Sequence, residues 1–312
     1  MIIKFWRKFV KFRALRPYNA PLYPLTKLGR SCILVTMNKL SPERRAGVIR
    51  CLAEGNSIRS TVRITGAAKN TVTKLLVELG HACWEYQNQA LRELASKRVQ
   101  CDEIRSFVGC KEKNLPEAKR GEFGVGDVWT WTAMDADTKL MICWQVGDRN
   151  AREAYDLICD LESRLANRVQ LTTDGLRIYL TAVEEVFGAD IDYAMLVKLY
   201  GSDAEGEKRY SPPVCLAAEK TPISGRPDPK HVSTSYIERQ NLTMRMNLRR
   251  FTRLTNAFSK KLENHFCAVS LHFMYYNFAR IHQTLKTTPA VAAGVTDHVW
   301  TVEEIVGLLG SN

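Results

Sequence analysis

Between residues 99 and 199 the hydrophobic pattern changes period in a fixed order, and that order limits the fold more than any bulk property of the chain. The run Val99-Gln100-Cys101-Asp102-Glu103-Ile104 reads as a short strand. Residues 128–134 and 140–146 alternate as a hairpin around Asp135-Ala136-Asp137-Thr138, where aspartates favour a turn by bonding their own backbone. Residues 148–168 shift to helical spacing, with Ala154, Leu157, Ile158, Leu161 and Leu165 on one stripe. A strand ending at Asp174, a helix near 181–187 and a strand near 193–199 follow. Three strands, a helix, a strand, a helix and a strand make an α/β fold, a mixed sheet with helices on its faces.

The flanks read differently. Residues 41–80 predict three short helices. The first is opened by Ser41-Pro42 and ended by Gly55, the second starts at Ser57, and Gly66 sits in the turn before the third, which carries Val72, Leu75, Leu76 and Leu79. Helix, glycine turn, helix is a helix-turn-helix pattern. Its third helix would present Lys69, Asn70, Thr71, Thr73 and Lys74 to DNA, cationic and amide groups suited to phosphates and base edges. The plainer reading is a three-helix linker, which the basic and amide face disfavours. Residues 81–98 predict a connecting helix. The Pro-, Gly- and charge-rich stretch 200–234 predicts a long loop, and a loop of that length in a compact domain is usually functional or disordered. Residues 258–285 predict helix, ended with the help of Pro289, and 291–312 a C-terminal tail. Residues 1–36 carry eight Lys/Arg and no acid. They are expected to be an upstream extension or misassigned start, the alternative being a basic arm on phosphates.

The formal net charge is +12, but its order is more telling than its sum. Residues 101–200 hold eighteen acidic and twelve basic side chains, between ends that are net basic. An acidic centre between basic flanks suits a metal-binding site bordered by polyanion-binding surfaces. Nine cysteines without a Cys-x-x-Cys pair argue against a disulfide framework and a four-cysteine zinc site, and point to a reducing, cytoplasmic setting. No stretch has the roughly 18 apolar residues of a membrane span.

Three acids stand out. Asp174 closes Leu171-Thr172-Thr173-Asp174 and is followed by Gly175, at a strand end where open α/β sheets place their sites. Asp102 lies in the first strand, and its neighbour Glu103 faces the other way, which makes Glu103 a supporting or surface acid. Glu238 lies in Ser235-Tyr236-Ile237-Glu238-Arg239-Gln240-Asn241, and from there to Lys261 the chain carries seven Lys/Arg and no other acid. Seven residues on, Arg245 shares its helical face. Three carboxylates can hold two divalent ions, while Arg239, Arg245, Arg249 and Arg250 offer bidentate phosphate contacts. The hairpin aspartates 135 and 137 are accounted for by turn chemistry, Trp129 and Trp131 by the core, and Tyr276 and His282 by packing.

The segments Asp102-Glu103-Ile104, Asp127-Val128-Trp129-Thr130-Trp131-Thr132-Ala133-Met134-Asp135, Leu171-Thr172-Thr173-Asp174-Gly175, Ser235 to Asn241, Tyr275-Tyr276-Asn277-Phe278-Ala279-Arg280-Ile281-His282 and Thr288-Pro289-Ala290 together resemble the IS-one group of insertion-sequence transposases. That group falls within the DDE transposase and retroviral-integrase superfamily. The resemblance spans residues 37–309, with one departure, Arg105, where the family usually has Trp. It implies a ribonuclease-H-like mixed-sheet catalytic core over 99–290, carrying an inserted loop near 200–234, behind an all-α helix-turn-helix domain over 37–80. Asp102, Asp174 and Glu238 would be its metal-binding triad, with two Mg²⁺ (or Mn²⁺) ions. The expected activity is DNA transposition, with inverted-repeat binding, phosphodiester cleavage and strand transfer. The expected partners are double-stranded DNA and further copies of the chain, with no membrane. Two other expectations compete: a catalytically inactive DNA-binding relic or regulator, and a nuclease of the same fold.

Overall fold

A computed structural model describes residues 40–201, 215–252 and 255–310; the basic segment 1–36 lies outside them. Its strands are β1 (Arg98–Val108), β2 (Gly126–Asp135), β3 (Met141–Gly147), β4 (Gln170–Asp174), β5 (Asp192–Tyr200) and β6 (Cys215–Ser224). They form one mixed sheet in the order β3-β2-β1-β4-β5-β6. β1, β4 and β5 run parallel, while β2, β3 and β6 pair antiparallel to their neighbours. This is the mixed α/β sheet that the sequence predicts. The β2–β3 reversal is built by Asp135, whose Oδ1 accepts from the backbone N–H groups of Asp137 (2.7 Å) and Thr138 (3.0 Å). Turn chemistry therefore fixes this hairpin, as expected.

Parallel strands need crossovers, and two helices supply them. They are α4 (Ala151–Glu162), capped by Asn150, and α5 (Ile178–Phe187). Both cover the face of β1 and β2 that carries Glu103 and Trp131, where Tyr179 meets Trp131 edge-on at 5.7 Å. The opposite face takes α6 (Ser235–Asn247) and α7 (Leu262–Met274), with Trp144 of β3 packed 5.7 Å from Phe273. Helix α4 is shorter than the expected 148–168. The chain turns at Ser163 so that Leu165 can bridge to Leu94 beside the sheet.

Before the sheet come α1 (Pro42–Ala53), α2 (Ile58–Thr65) and α3 (Lys69–Ala90). Ser41 caps the first, Ser57 the second, and Gly66, at φ +67°, ends the second in the left-handed conformation a helix stop favours. The separate connecting helix expected at 81–98 is instead the second half of α3. Leu75, Leu76, Leu79 and Cys83 are all buried, so one apolar stripe runs through Gly80 without a break. That glycine is the contact point with α7: a Cβ there would lie 2.4 Å from Cys267 Cβ and 2.6 Å from its Cα. These helices share one hydrophobic core with the sheet.

Three more expectations change. The stretch 200–234 contains β6, an edge strand exposed along nearly its whole length; exposed on both faces, it has no alternation for a sequence to show. The helix expected to run to 285 stops sooner, because Tyr275–Ala279 widens into a π-turn. There Asn277 bonds both the N–H (2.9 Å) and the carbonyl (2.9 Å) of Met141. Pro289 opens a short helix, α8 (Pro289–Ala292), rather than ending one. Finally, 291–312 is not a tail. Helix α9 (Val302–Gly307) starts with a Thr301/Glu304 capping box, and Val302, Ile305 and Val306 are buried.

Candidate active site

The site forms where β4 stops. Cys101 pairs with Thr173, so Asp102 and Asp174 follow side by side at the point where the two strands part. Gly175 and the start of the crossover carry the chain away, and Leu176 N–H donates to Asp174 Oδ1 at 3.0 Å. Asp102 is held from two sides. Its Oδ1 accepts from the Glu103 N–H at 2.8 Å, and its Oδ2 from Asn241 Nδ2 of α6 at 2.8 Å.

Glu103 is not a surface acid. It is buried, and one of its carboxylate oxygens, one of Asp102 and one of Asp174 all lie within 4.8 Å of one another. Alternation does send it to the other face, but β4 ends at Asp174, so no further strand residue separates the two faces there. Arg149 forks onto Glu103 Oε1 at 2.9 and 2.6 Å while stacking over Trp129 at 4.7 Å, and Tyr179 donates to Oε2 at 3.4 Å. A buried carboxylate with a fixed guanidinium partner is the arrangement that burial demands. The sequence carried a weak sign of this in Arg149, one residue past Asp148 at the expected helix start, but nothing tied it to Glu103.

Glu238 enters from α6, one turn before Asn241. Lys198 of β5 donates to both of its carboxylate oxygens at 2.5 Å, and Thr234 Oγ1 donates to Oε1 at 2.6 Å. It is near enough to repel both Asp102 and Asp174, the two other acids of the expected triad.

This crowding sets the electrostatics. Burial first, then the charges of Glu103 and Asp174, push Asp102 up to about 7. Burial also raises Asp174, opposed by the Leu176 N–H and by Arg149, and burial with the charge of Asp174 raises Glu103. Carboxylates raised by burial, and further by one another's charge, make a site lacking positive charge. A second observation agrees. The amide orientation that lets Asn241 Nδ2 reach Asp102 leaves Asn241 Oδ1 buried with no partner among the described residues. Hard oxygen donors held together beside an unpartnered amide oxygen could hold a divalent metal ion.

The other expected residues lie apart from this centre. Lys69, Asn70 and Lys74 are exposed at the start of α3, with Thr71 and Thr73 half-buried; Lys74 pairs with Glu78 at 3.6 Å. Arg239 is exposed beside Glu238, Arg245 lies in the last turn of α6, and Arg249 is half-buried in the turn after it. Arg250 turns inward. It donates to Ser259 Oγ at 2.9 Å, and burial lowers its guanidinium to about 10. Arg105 pairs with Asp127 on the outside of β1, Nε to Oδ2 at 2.8 Å, so the departure from Trp is matched by a local partner. Trp131 and Tyr276 are core residues, and Tyr276 donates to the Lys139 carbonyl at 3.1 Å.

No family model matches the sequence, and no curated protein does either. Among solved structures, the chain is similar to a piggyBac transposase in a synaptic complex with hairpin DNA, at 9% identity and a TM-score of 0.38, over 86% of this chain and 70% of that one. It is similar also to a Mos1 mariner transposase in a paired end complex with Mn, at 11% identity and a TM-score of 0.25, over 87% and 84% of the two chains. Similarity this slight leaves the chemistry to be argued from the chain's own residues.

Proposed function

We propose that the chain is a DNA transposase of the DDE class, of the insertion-sequence kind that its sequence resembles. What supports this reading is the cluster of Asp102, Glu103 and Asp174, whose carboxylate oxygens lie within 4.8 Å of one another where β4 ends, with Glu238 on the adjoining helix α6 close enough to raise Asp102 and Asp174 by its charge. Asp102, Asp174 and Glu238 would hold divalent ions, with Glu103 beside them and Asn241 Oδ1 within the same donor set. When bound, two such ions activate an attacking oxygen and stabilise a leaving one at a phosphodiester.

The remaining work falls to the chain's own groups. Asn241 fixes the Asp102 carboxylate through Nδ2, and Leu176 N–H fixes Asp174, so both are oriented before any ligand arrives. Arg149 forks onto Glu103 and opposes the rise that burial and the charge of Asp174 impose on it. The exposed face of Lys69, Asn70 and Lys74, with Thr71 and Thr73, would offer a helix-turn-helix contact to the element's inverted repeats, while Arg239, Arg245 and Arg249, on and just after the helix that carries Glu238, would contact the DNA end. Two DNA ends must be held at once, so the working form is a dimer or larger assembly. No helix among the described residues is long and apolar enough to cross a membrane, and a cytoplasmic, DNA-associated protein is the corresponding setting.

The test is a strand-transfer assay on duplexes carrying the element's own ends, with Mg²⁺ or Mn²⁺, and with chelator as control. Metal-dependent joined product is expected. Tight end binding with no product would instead assign the chain to a regulator, and cleavage without joining to a nuclease.

A further inference from the structure

Resting on that reading, we infer that Lys198 is a phosphate-binding residue that exchanges Glu238 for the DNA backbone when the site is loaded. Asp174 is opposite Leu196 in the parallel β4–β5 ladder, and Lys198 lies two residues further, on the same face and beyond the end of β4. It therefore projects past Asp174 over the open end of the sheet. Its ammonium holds both oxygens of Glu238, at 2.5 Å, with side chains 25% and 43% exposed.

Such a pair at the surface stabilises a fold little. Its position is what gives it a role. Glu238 is the one acid of the expected triad borne on a helix rather than a strand, and Lys198 occupies the carboxylate that an ion would need. Without ions, the lysine relieves the repulsion that Glu238 exerts on Asp102 and Asp174. Divalent cations bound there would reverse the local field: Glu238 would serve as their ligand, and an ammonium beside them would be repelled. Its four-carbon stem lets it swing outward, toward where a bound backbone lies, and a phosphate is the acceptor that DNA brings there. Lys198 thus serves the empty site as a counter-charge and the loaded site as a clamp.

A binding cycle in chelator tests the exchange without relying on turnover. The full chain and its variants are titrated with a short duplex of arbitrary sequence over a salt series, with folding checked by thermal unfolding. Glu238→Ala frees the lysine, so duplex affinity should rise about threefold and the dependence of log K on log salt should steepen by about 0.9, one added phosphate contact. Lys198→Met should change little in the native background, where the lysine is occupied, yet cancel both gains in the Glu238→Ala background. Lys198→Arg, which keeps the charge, should preserve them. Additive effects of the two substitutions would overturn the inference, because simple field effects add while a released clamp does not. If no variant binds duplex at all, the transposase reading fails together with the inference; binding without coupling removes only the inference.

Discussion

The end of β4 and the seam between α3 and α7 obey opposite rules. At the seam, most buried groups are apolar or hydrogen-bonded, Gln87 Oε1 being an exception. Gly80 lets the two helices touch, Ser270 Oγ donates to the Gly80 carbonyl at 2.7 Å, and Cys83 and Cys267 sit buried as neutral thiols. At the strand end, three carboxylates of one sign come within 4.8 Å, and each is raised by burial. A scaffold tuned for stability would not gather them. The contrast teaches that the sheet end carries an electrostatic cost the rest of the molecule supports, which is the signature of a site rather than of packing.

The largest test of that contrast removes one charge. Asp174→Asn keeps the shape and the Leu176 N–H contact but loses an ionic ligand. Strand transfer should fall on the order of a thousandfold or more, while duplex binding persists and thermal stability without metal is equal to native or higher. Unchanged cleavage would falsify the triad.

The seam should fail in the converse way. Gly80→Ala places a methyl 2.6 Å from Cys267 Cα and 2.7 Å from its carbonyl oxygen, backbone atoms that cannot rotate aside. The helices must separate, at a cost of roughly 2–3 kcal/mol even after alanine's better helix propensity. Chemical denaturation measures it. A variant as stable as the native chain would show that the seam is looser than this spacing requires.

A third comparison adds the missing charge. Mg²⁺ or Mn²⁺ at about a hundred times its dissociation constant should stabilise the native chain by about 2.7 kcal/mol. Asp174→Asn should abolish the shift and Gly80→Ala should retain it, with thermal unfolding as the readout. A metal response that survives loss of Asp174 would place the ion elsewhere.

The two regions also differed in how far the sequence disclosed them. Asp174 could be picked out because a strand end beside glycine has a local signature, Asp102 was singled out by the family resemblance, and the helical stripe of Leu75, Leu76 and Leu79 followed from its spacing. Glu103 could not be placed, since alternation sends it to the far face and only the termination of β4 brings its carboxylate round. Lys198 and Asn241 were invisible for the same reason, as strand and helix pairings decide what they touch. Strand β6 and helix α9 were missed because one is exposed on both faces and the other is only six residues long. Arg250 reads like its neighbour Arg249, and only the structure shows it turned toward Ser259.

The last test probes the neutral side of the contrast by pH. His265 is fully buried between Ser106 Oγ and Ser259 Oγ, each 3.1 Å from a ring nitrogen, and burial with the nearby charge of Arg250 lowers it to about 3. An unfolded chain protonates this imidazole near its ordinary 6.5, while the folded chain refuses the proton until about 3. The unfolded state therefore binds more protons in that window, and the contribution of His265 is fully present above pH 6.5 and lost as pH falls toward 3. The loss runs at about 1.4 kcal/mol per pH unit. His265→Gln has no such proton to take up, so it should be less stable than the native chain at pH 7.5, with the gap narrowing as the medium is acidified. Denaturation at a series of pH values measures the gap. A constant gap would mean that the native imidazole accepts its proton in place, and that the scaffold tolerates buried charge as the strand end does.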